Sequence, residues 1–265
     1  MLKAIMFDLD DTLIWDERSV DEAFNKTCRL AAVKSGVDSE LLEQKIRQNA
    51  QKLFASYDTY DFADMIGISP FEGLWAEFDD EGESLRRLKD IAPEYRKQAW
   101  TTSLREAGVD DRHLAIELAE AFKAERGKNQ FVFDETFNVL NELKGKYRLL
   151  MLTNGSPDLQ QTKLNITPEL KPYFDHIVIS GAFGRGKPDP SIFDHAMALL
   201  SVEKDEALMV GDNPYSDILG ATRAGVPSVW INHHAADVQD VRPTYEISRL
   251  KELLDVLKQA GIRSR

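Results

Sequence analysis

A single cysteine, Cys28, in 265 residues excludes an intramolecular disulfide and a cysteine-ligated metal cluster. It sits in the helix-like segment NKTCRLAAV and is expected to be a small core residue. No run reaches the roughly 18 apolar residues a spanning helix needs, and no charged leader precedes one, so a cytoplasmic protein is expected. Basic charge is also in deficit: 33 Lys and Arg against 45 Asp and Glu give a net charge of -12. That field repels phosphate backbones and anionic lipid, so nucleic acid and membrane surfaces are not expected partners. A small anion remains admissible where a metal ion or a few placed cations attract it locally. Sustained heptads are absent too, which leaves monomer and homodimer equally open.

Hydrophobic residues make up 43% of the chain, enough for a sizeable core in one large domain or two modest ones. The texture changes twice. A short apolar strand over about residues 3 to 9 opens the chain. Residues 15–133 are rich in helical patterning, in Val20 to Val33, Ser39 to Tyr57 and Arg112 to Arg126, and read as a mainly helical insert. From residue 134 strand and helix alternate: YRLLMLTN, SPDLQQTKL, HIVISG, DPSIFDHAMALL, EALMVGDN, YSDILGATRAG, PSVWIN. This order predicts an α/β fold with a Rossmann-like parallel sheet covered by helices on both faces, built from residues 1–14 and 134–265. Gly225 and Pro227 mark a helix stop, and a last helix is expected from about Ser248 to Gln259. In open parallel sheets, sites form beyond the carboxyl ends of the strands.

The polar clusters fall at such ends. In KAIMFDLDDTL, the alternation of a strand turns Asp8 and Asp10 the same way. Two such carboxylates about 4 Å apart repel by about 4 kcal/mol at an effective dielectric near 20, so a cation or a shared proton is expected between them. Capping of the next helix by Asp10, Asp11 or Thr12 would account for one acid but not for two on one face. MVGDNPYSDILGA adds Asp212 and, a turn later, Asp217, with capping by Asp212 or Asn213 as the alternative. Together they form a hard, oxygen-rich cluster without His or Cys, chemistry that suits Mg²⁺.

Two further strand ends offer groups for a phosphate. Thr153-Asn154-Gly155 precedes a helix start near Ser156-Pro157, a seat for an anion or an ordinary turn. Gly181 to Lys187 fits the beginning of a nucleotide-binding G-x-x-x-x-G-K loop, but Pro188 lacks the hydroxyl that such a loop requires next. Lys187 is read instead as the fixed cation that balances the acids.

The ordered set DLDDT, TNG, GKPDP and GDNPYSD resembles the haloacid dehalogenase-like hydrolase superfamily, chiefly its phosphatases with a helical cap inserted after the first motif. The resemblance implies a Mg²⁺-dependent phosphatase acting on a small phosphorylated metabolite. In it Asp8 is the nucleophile that forms an aspartyl-phosphate, and Asp10 is the general acid and base. Thr153 and Asn154 hold phosphoryl oxygens, and Lys187 neutralises nucleophile and phosphate. Asp8, the main-chain oxygen of Asp10 and Asp212 hold Mg²⁺, with Asp217 nearby. The early DDTLIWDERSV and the long insert resemble bacillus-type proteins assigned as phosphoserine phosphatases. A phosphomutase or phosphotransferase would share the same residues, a haloacid dehalogenase would lack the second acid, and a non-catalytic sensor would be expected to have lost a key side chain.

The insert is long enough to close over a site. Within it the segment Tyr57 to Phe62 is a candidate selectivity loop, and Arg18, Lys123, Arg126 and Lys128 are candidate substrate contacts, each weighed against a solvated surface role. His233-His234 is read as loop rather than as metal ligands.

Overall fold

The computed structural model describes residues 1–128 and 130–259. The chain opens with β1 (Ala4–Phe7) and continues through α1 (Asp16–Ser35), α2 (Ser39–Phe54), α3 (Tyr60–Ile66), α4 (Pro70–Gly73), α5 (Glu83–Glu106) and α6 (Arg112–Lys128). Then come α7 (Thr136–Leu143), β2 (Arg148–Thr153), α8 (Pro157–Ile166), β3 (His176–Ile179), α9 (Ser180–Phe183) and α10 (Pro190–Leu200). β4 (Ala207–Gly211), α11 (Leu219–Ala224), β5 (Ser228–Ile231), β6 (Tyr245–Ile247) and α12 (Leu253–Gln259) complete it. Among the described residues no helix is long and apolar enough to cross a membrane.

The chain divides into two compact units. The first comprises Met1–Asp16, Phe131–Gly155 and the chain from Thr167 onward; the second comprises Glu17–Gln130 and Ser156–Ile166. The first holds an all-parallel six-stranded sheet in the order β3-β2-β1-β4-β5-β6, an α/β architecture. β1 lies at its centre, with Ala4 opposite both Arg148 of β2 and Ala207 of β4. Period two sorts the strand residues onto two faces. Ala4, Met6, Leu150, Leu152, Ala207 and Met209 pack with Ile192, Phe193 and Met197 of α10, while Ile5, Phe7, Leu149, Met151, Leu208 and Val210 are equally buried on the other face. Both faces are therefore covered, which is why these strands are apolar throughout. Gly225 takes a left-handed φ of 74° and ends α11, as its place in the sequence predicts.

Several features differ from the sequence expectation. β1 stops at Phe7, because the following residues turn: Leu13 and Ile14 both donate their N–H groups to the Leu9 carbonyl. β6 adds a short edge strand paired only to β5, too brief to show alternation. The last helix begins at Leu253 after a tight turn at Leu250–Glu252 rather than at Ser248. The unit boundaries fall near 16 and 131 instead of 14 and 134, and segment 156–166, expected on the sheet, joins the helical unit.

The helical unit is organised by an aromatic centre. Phe24 lies 4.5 Å from Phe122 and 6.5 Å from Trp100, ring centre to ring centre, and the guanidinium of Arg47 lies 4.3 Å above the Phe24 ring. α2 starts cleanly because Asp38 accepts from the N–H groups of Glu40 and Leu41. Ser69 and Glu72 form a reciprocal capping box on α4. The candidate loop Tyr57 to Phe62 is in fact partly the first turn of α3, with Tyr57 edge-on to Tyr95 and Tyr60 edge-on to Phe54. Arg126, weighed as a surface residue, is fully buried with its guanidinium 4.8 Å from the Trp75 ring. Lys123 pairs with Glu77, and Lys128 with Glu125 at 2.6 Å.

Helix α8 is tied into this unit by polar as well as apolar contacts. Leu159 joins its hydrophobic core, and Lys163 Nζ lies 2.8 Å from Glu72 Oε1, both groups buried. Breaking one side of a buried pair costs about 3–5 kcal/mol, because the other charge stays buried. Glu72→Ala, which also removes the capping box, is expected to lower the urea midpoint of the helical unit by more than Lys163→Met does. Tryptophan fluorescence, to which Trp75 and Trp100 of this unit contribute, reads the difference; equal effects would show that losing the glutamate costs no more than losing the lysine.

Candidate active site

The chain leaves β1 with Asp8, whose N–H donates to the Val210 carbonyl of β4, and so holds this residue at the carboxyl ends of the two central strands. β4 ends one residue before Asp212. The connection after β3 delivers Lys187, and β2 ends at Thr153. The acids, the turn after β2 and the lysine thus converge at the carboxyl ends of the strands, where parallel sheets form sites.

At the centre, Lys187 Nζ lies 2.5 Å from Asp8 Oδ1 and 2.6 Å from Asp217 Oδ1. Lys187 is 4% exposed, Asp8 7% and Asp217 not at all, so the contacts are little screened by water. Burial alone would lower the Lys187 ammonium, but the attraction of Asp217 and Asp8 outweighs it and raises the group above its ordinary value. Asp8 moves the other way for a carboxylic acid: burial, reinforced by repulsion from Asp217 and Asp10 and opposed by Lys187, raises it from 3.8 to about 8. Asp212 is also raised well above 3.8, by burial and then by Asp217, Asp8 and Asp11, with a hydrogen bond from Thr12 opposing the shift. One ammonium is too little charge for this many acids.

The carboxylate oxygens of Asp8, Asp212 and Asp217 include a set lying within 4.8 Å of one another. Oxygen-only and over-charged, with Asp8 and Asp217 buried and Asp212 half-buried, they fit a hard divalent cation. The Asp10 side chain is not part of that trio; the expectation there concerned its main-chain oxygen. Asp217 is heavily committed, with Oδ1 accepting from the Lys187 ammonium and Oδ2 accepting from the Asn213 N–H at 3.0 Å, which fits a residue that positions Lys187. A π-helical turn over Pro214–Ile218, capped by Asn213 accepting from Tyr215 and Ser216, turns Asp217 inward.

The Asn154 side chain pairs with the backbone of Lys187: Oδ1 accepts from the Lys187 N–H at 2.9 Å, and Nδ2 donates to the Lys187 carbonyl at 2.9 Å. It clamps the lysine's own backbone. Thr153 is fully buried at the end of β2, beside Gly155, whose N–H donates to Ser180 Oγ at 2.9 Å.

Several contributors had no signal in the sequence. Thr12 Oγ1 donates to Asp212 Oδ1 at 3.1 Å, and Trp230 Nε1 donates to the Asp212 carbonyl at 2.7 Å. Gly186 and Gly211 are required by space: a Cβ on the first would lie 2.8 Å from Asn154 Oδ1, and on the second 2.2 Å from Asp217 Oδ2. His233, read as a plain loop residue, places Nε2 2.8 Å from the Asp11 carbonyl.

Residues 2 to 225 match the family model described as haloacid dehalogenase-like hydrolase. The chain belongs to that family. A phosphoserine phosphatase of Thermus thermophilus is 36% identical over 257 residues, covering 95% of this chain and 98% of that protein. The pyrimidine 5'-nucleotidase YjjG of Escherichia coli is 31% identical over 214 residues, covering 78% and 88%. The structure of the HAD hydrolase YfnB from Bacillus subtilis, bound to magnesium, aligns with a TM-score of 0.67 at 21% identity over 97% of this chain and 98% of that one, and shares the fold. The expectation of a hydrolytic enzyme, a phosphatase of phosphoric monoesters, is borne out by such relatives.

The space behind Gly211 gives a direct test of where Asp217 must sit. Gly211→Ala must displace the Asp217 carboxylate, so turnover is expected to fall by about 100-fold, the scale of a misplaced catalytic group. Gly127→Ala on α6, where a Cβ meets nothing within 4 Å, is the neutral control. Steady-state kinetics on both variants, beside circular dichroism, checks it; wild-type turnover in Gly211→Ala would refute the positional requirement.

Proposed function

We propose that this HAD-family phosphatase is Mg²⁺-dependent and hydrolyses a small phosphorylated metabolite through an aspartyl-phosphate, an acyl phosphate on Asp8, with O-phosphoserine the first substrate to test. The observation that carries the reading is the Lys187 ammonium held between Asp8 and Asp217 beside Asp212. A nucleophilic carboxylate must be ionised, and Lys187 is the group that opposes the burial keeping Asp8 protonated. The 36% identity to a phosphoserine phosphatase along nearly the whole chain supports the choice of first substrate.

In the first step an Asp8 carboxylate oxygen attacks phosphorus, the bond from phosphorus to the ester oxygen breaks, and Asp10 gives its proton to the departing alkoxide. In the second, Asp10 takes a proton from water as that water attacks phosphorus, the Asp8–phosphorus bond breaks, and inorganic phosphate leaves. Lys187 offsets charge on Asp8 and on the phosphoryl oxygens, with Asn154 fixing the lysine's backbone and Thr153 beside the anion seat. Mg²⁺, held by Asp8, Asp212 and the Asp10 main chain, would supply the positive charge that lets a phosphate dianion approach these acids. The helical unit serves in this reading as the cap.

Asp8→Asn is expected to fold normally and to lose essentially all phosphate release, and EDTA is expected to silence the wild type until Mg²⁺ is restored. A panel of O-phosphoserine, sugar phosphates, phosphoglycolate and nucleoside monophosphates checks both. Release by the Asn variant would sink the covalent route, and transfer to an added alcohol in place of release would point to a phosphotransferase.

A pH prediction follows from the same charges. Because Asp8 and Asp212 bind protons more tightly in the folded protein than in the unfolded chain, metal-free stability is expected to fall as pH rises from about 4 to about 8. Carboxylates held low by ion pairs, such as Glu135 hydrogen-bonded to Arg249, act below that window. Saturating Mg²⁺ should flatten the decline, since a ligand of the native state alone stabilises it. Thermal melts in EDTA and in Mg²⁺ from pH 5 to 8 decide; a metal-free protein that gains stability across this range would contradict the charge argument.

A further inference from the structure

The segment that carries Asp10 is held from outside the acid cluster. Asp11 adopts a left-handed φ of 55°, a conformation that Asp tolerates better than most non-glycine residues and that here is held by contacts on both sides. One such constraint is Thr12 on Asp212. Another is the Asp11 carbonyl, 2.8 Å from His233 Nε2. A carbonyl can only accept, so Nε2 carries the proton and donates.

His233 is itself well fixed. It follows Asn232, a nearly buried residue whose side chain accepts from the Ala236 N–H at 2.8 Å and donates to the Ala236 carbonyl and to Glu246 at 2.9 and 2.7 Å. The imidazole stacks on Phe133 at 4.9 Å with 13° between planes, and Phe133 stacks on Trp15 at 5.3 Å and 15°. The Trp15 N–H in turn donates to the Phe131 carbonyl at 2.8 Å. The ring is therefore clamped on the two strands of chain, around residues 15 and 131, that border the helical insertion.

We propose that His233 is a positioning residue for the general acid: its Nε2–H holds the Asp11 carbonyl, fixes the turn, and so aims the Asp10 carboxyl at the leaving oxygen. It touches no reacting atom and acts through Asp10. This rests on the reading of Asp10 as acid and base given above. The consequence is specific to the leaving group. An alkoxide needs a proton in the first step, whereas p-nitrophenolate leaves without one, and kcat/KM reports that step.

The test uses the full-length enzyme with Mg²⁺. His233→Phe keeps the stack on Phe133 but has no donor; His233→Gln keeps a donor. With O-phosphoserine, or the alkyl phosphate the wild type hydrolyses fastest, His233→Phe is expected to lose about 10- to 100-fold in kcat/KM. With p-nitrophenyl phosphate it should match the wild type, and His233→Gln should recover most of the alkyl activity. Asp10→Asn should show the same dependence on leaving group, more strongly. Equal losses on both substrates, or none on either, would overturn the role of His233 while leaving the catalytic scheme intact. If Asp10→Asn itself showed no leaving-group dependence, or Asp8→Asn turned over, the scheme would fail and the inference with it. Thermal melts separate either result from misfolding.

Discussion

The site depends on one ammonium buried among acids. A lysine at 4% exposure is costly unless its charge is met, and Asp8 and Asp217 meet it at hydrogen-bonding distance. Much of the nearby structure keeps that geometry. Asn154 holds the lysine's own peptide groups, Gly186 gives Asn154 room to do so, and Gly211 gives room to Asp217. The Asn213 N–H takes the second oxygen of Asp217 and stops that carboxylate from rotating away. These contacts fix a charge at a point, which is what pre-organised electrostatic catalysis requires.

The sheet explains how residues far apart in sequence reach that point. With β1 central and β2 and β4 on either side, the ends of three neighbouring parallel strands supply Asp8, Thr153 and Asp212. Lys187 comes from the connection after β3, beyond β2. The buried, apolar strands give these loops a rigid base, and their hydrogen-bonded register sets the spacing of the charged groups. An insertion after β1 leaves this arrangement untouched, because the pairing of β1 needs only four residues.

The parallel sheet and the identity of the charged residues were legible in the sequence because both follow from local patterns. Continuous apolar strands alternate with helices, and acids crowd the strand ends. The role of Asn154 was not legible: an amide after a strand can face an anion or a neighbouring peptide group, and only the position of Lys187, 33 residues on, decides. Segment 156–166 carries an ordinary helical pattern, and its burial of Leu159 and Lys163 against the helical unit is a tertiary choice. Arg126 looks like a surface residue at the end of a helix until the Trp75 ring is found beneath it. His233 reads from the sequence as a loop residue. Its partner is a backbone carbonyl 222 positions away, and no side-chain pattern records such a contact.

The two buried lysines of this protein separate structural from functional charge. Lys163 in the helical unit faces Glu72, whose other oxygen accepts from the Ser69 N–H within a capping box. At Lys187 the acids outnumber the cation: the ammonium meets Asp8 and Asp217, Asp212 lies beside those two carboxylates, and burial together with their mutual repulsion raises the carboxyls of Asp8 and Asp212 well above their ordinary values. Folding stability alone would favour replacing one of those acids with a neutral side chain. Their retention in one buried place follows naturally if the missing positive charge arrives with a metal ion and if the phosphate group is drawn to the charge that the ion brings. Burial and an excess of negative charge together mark the site.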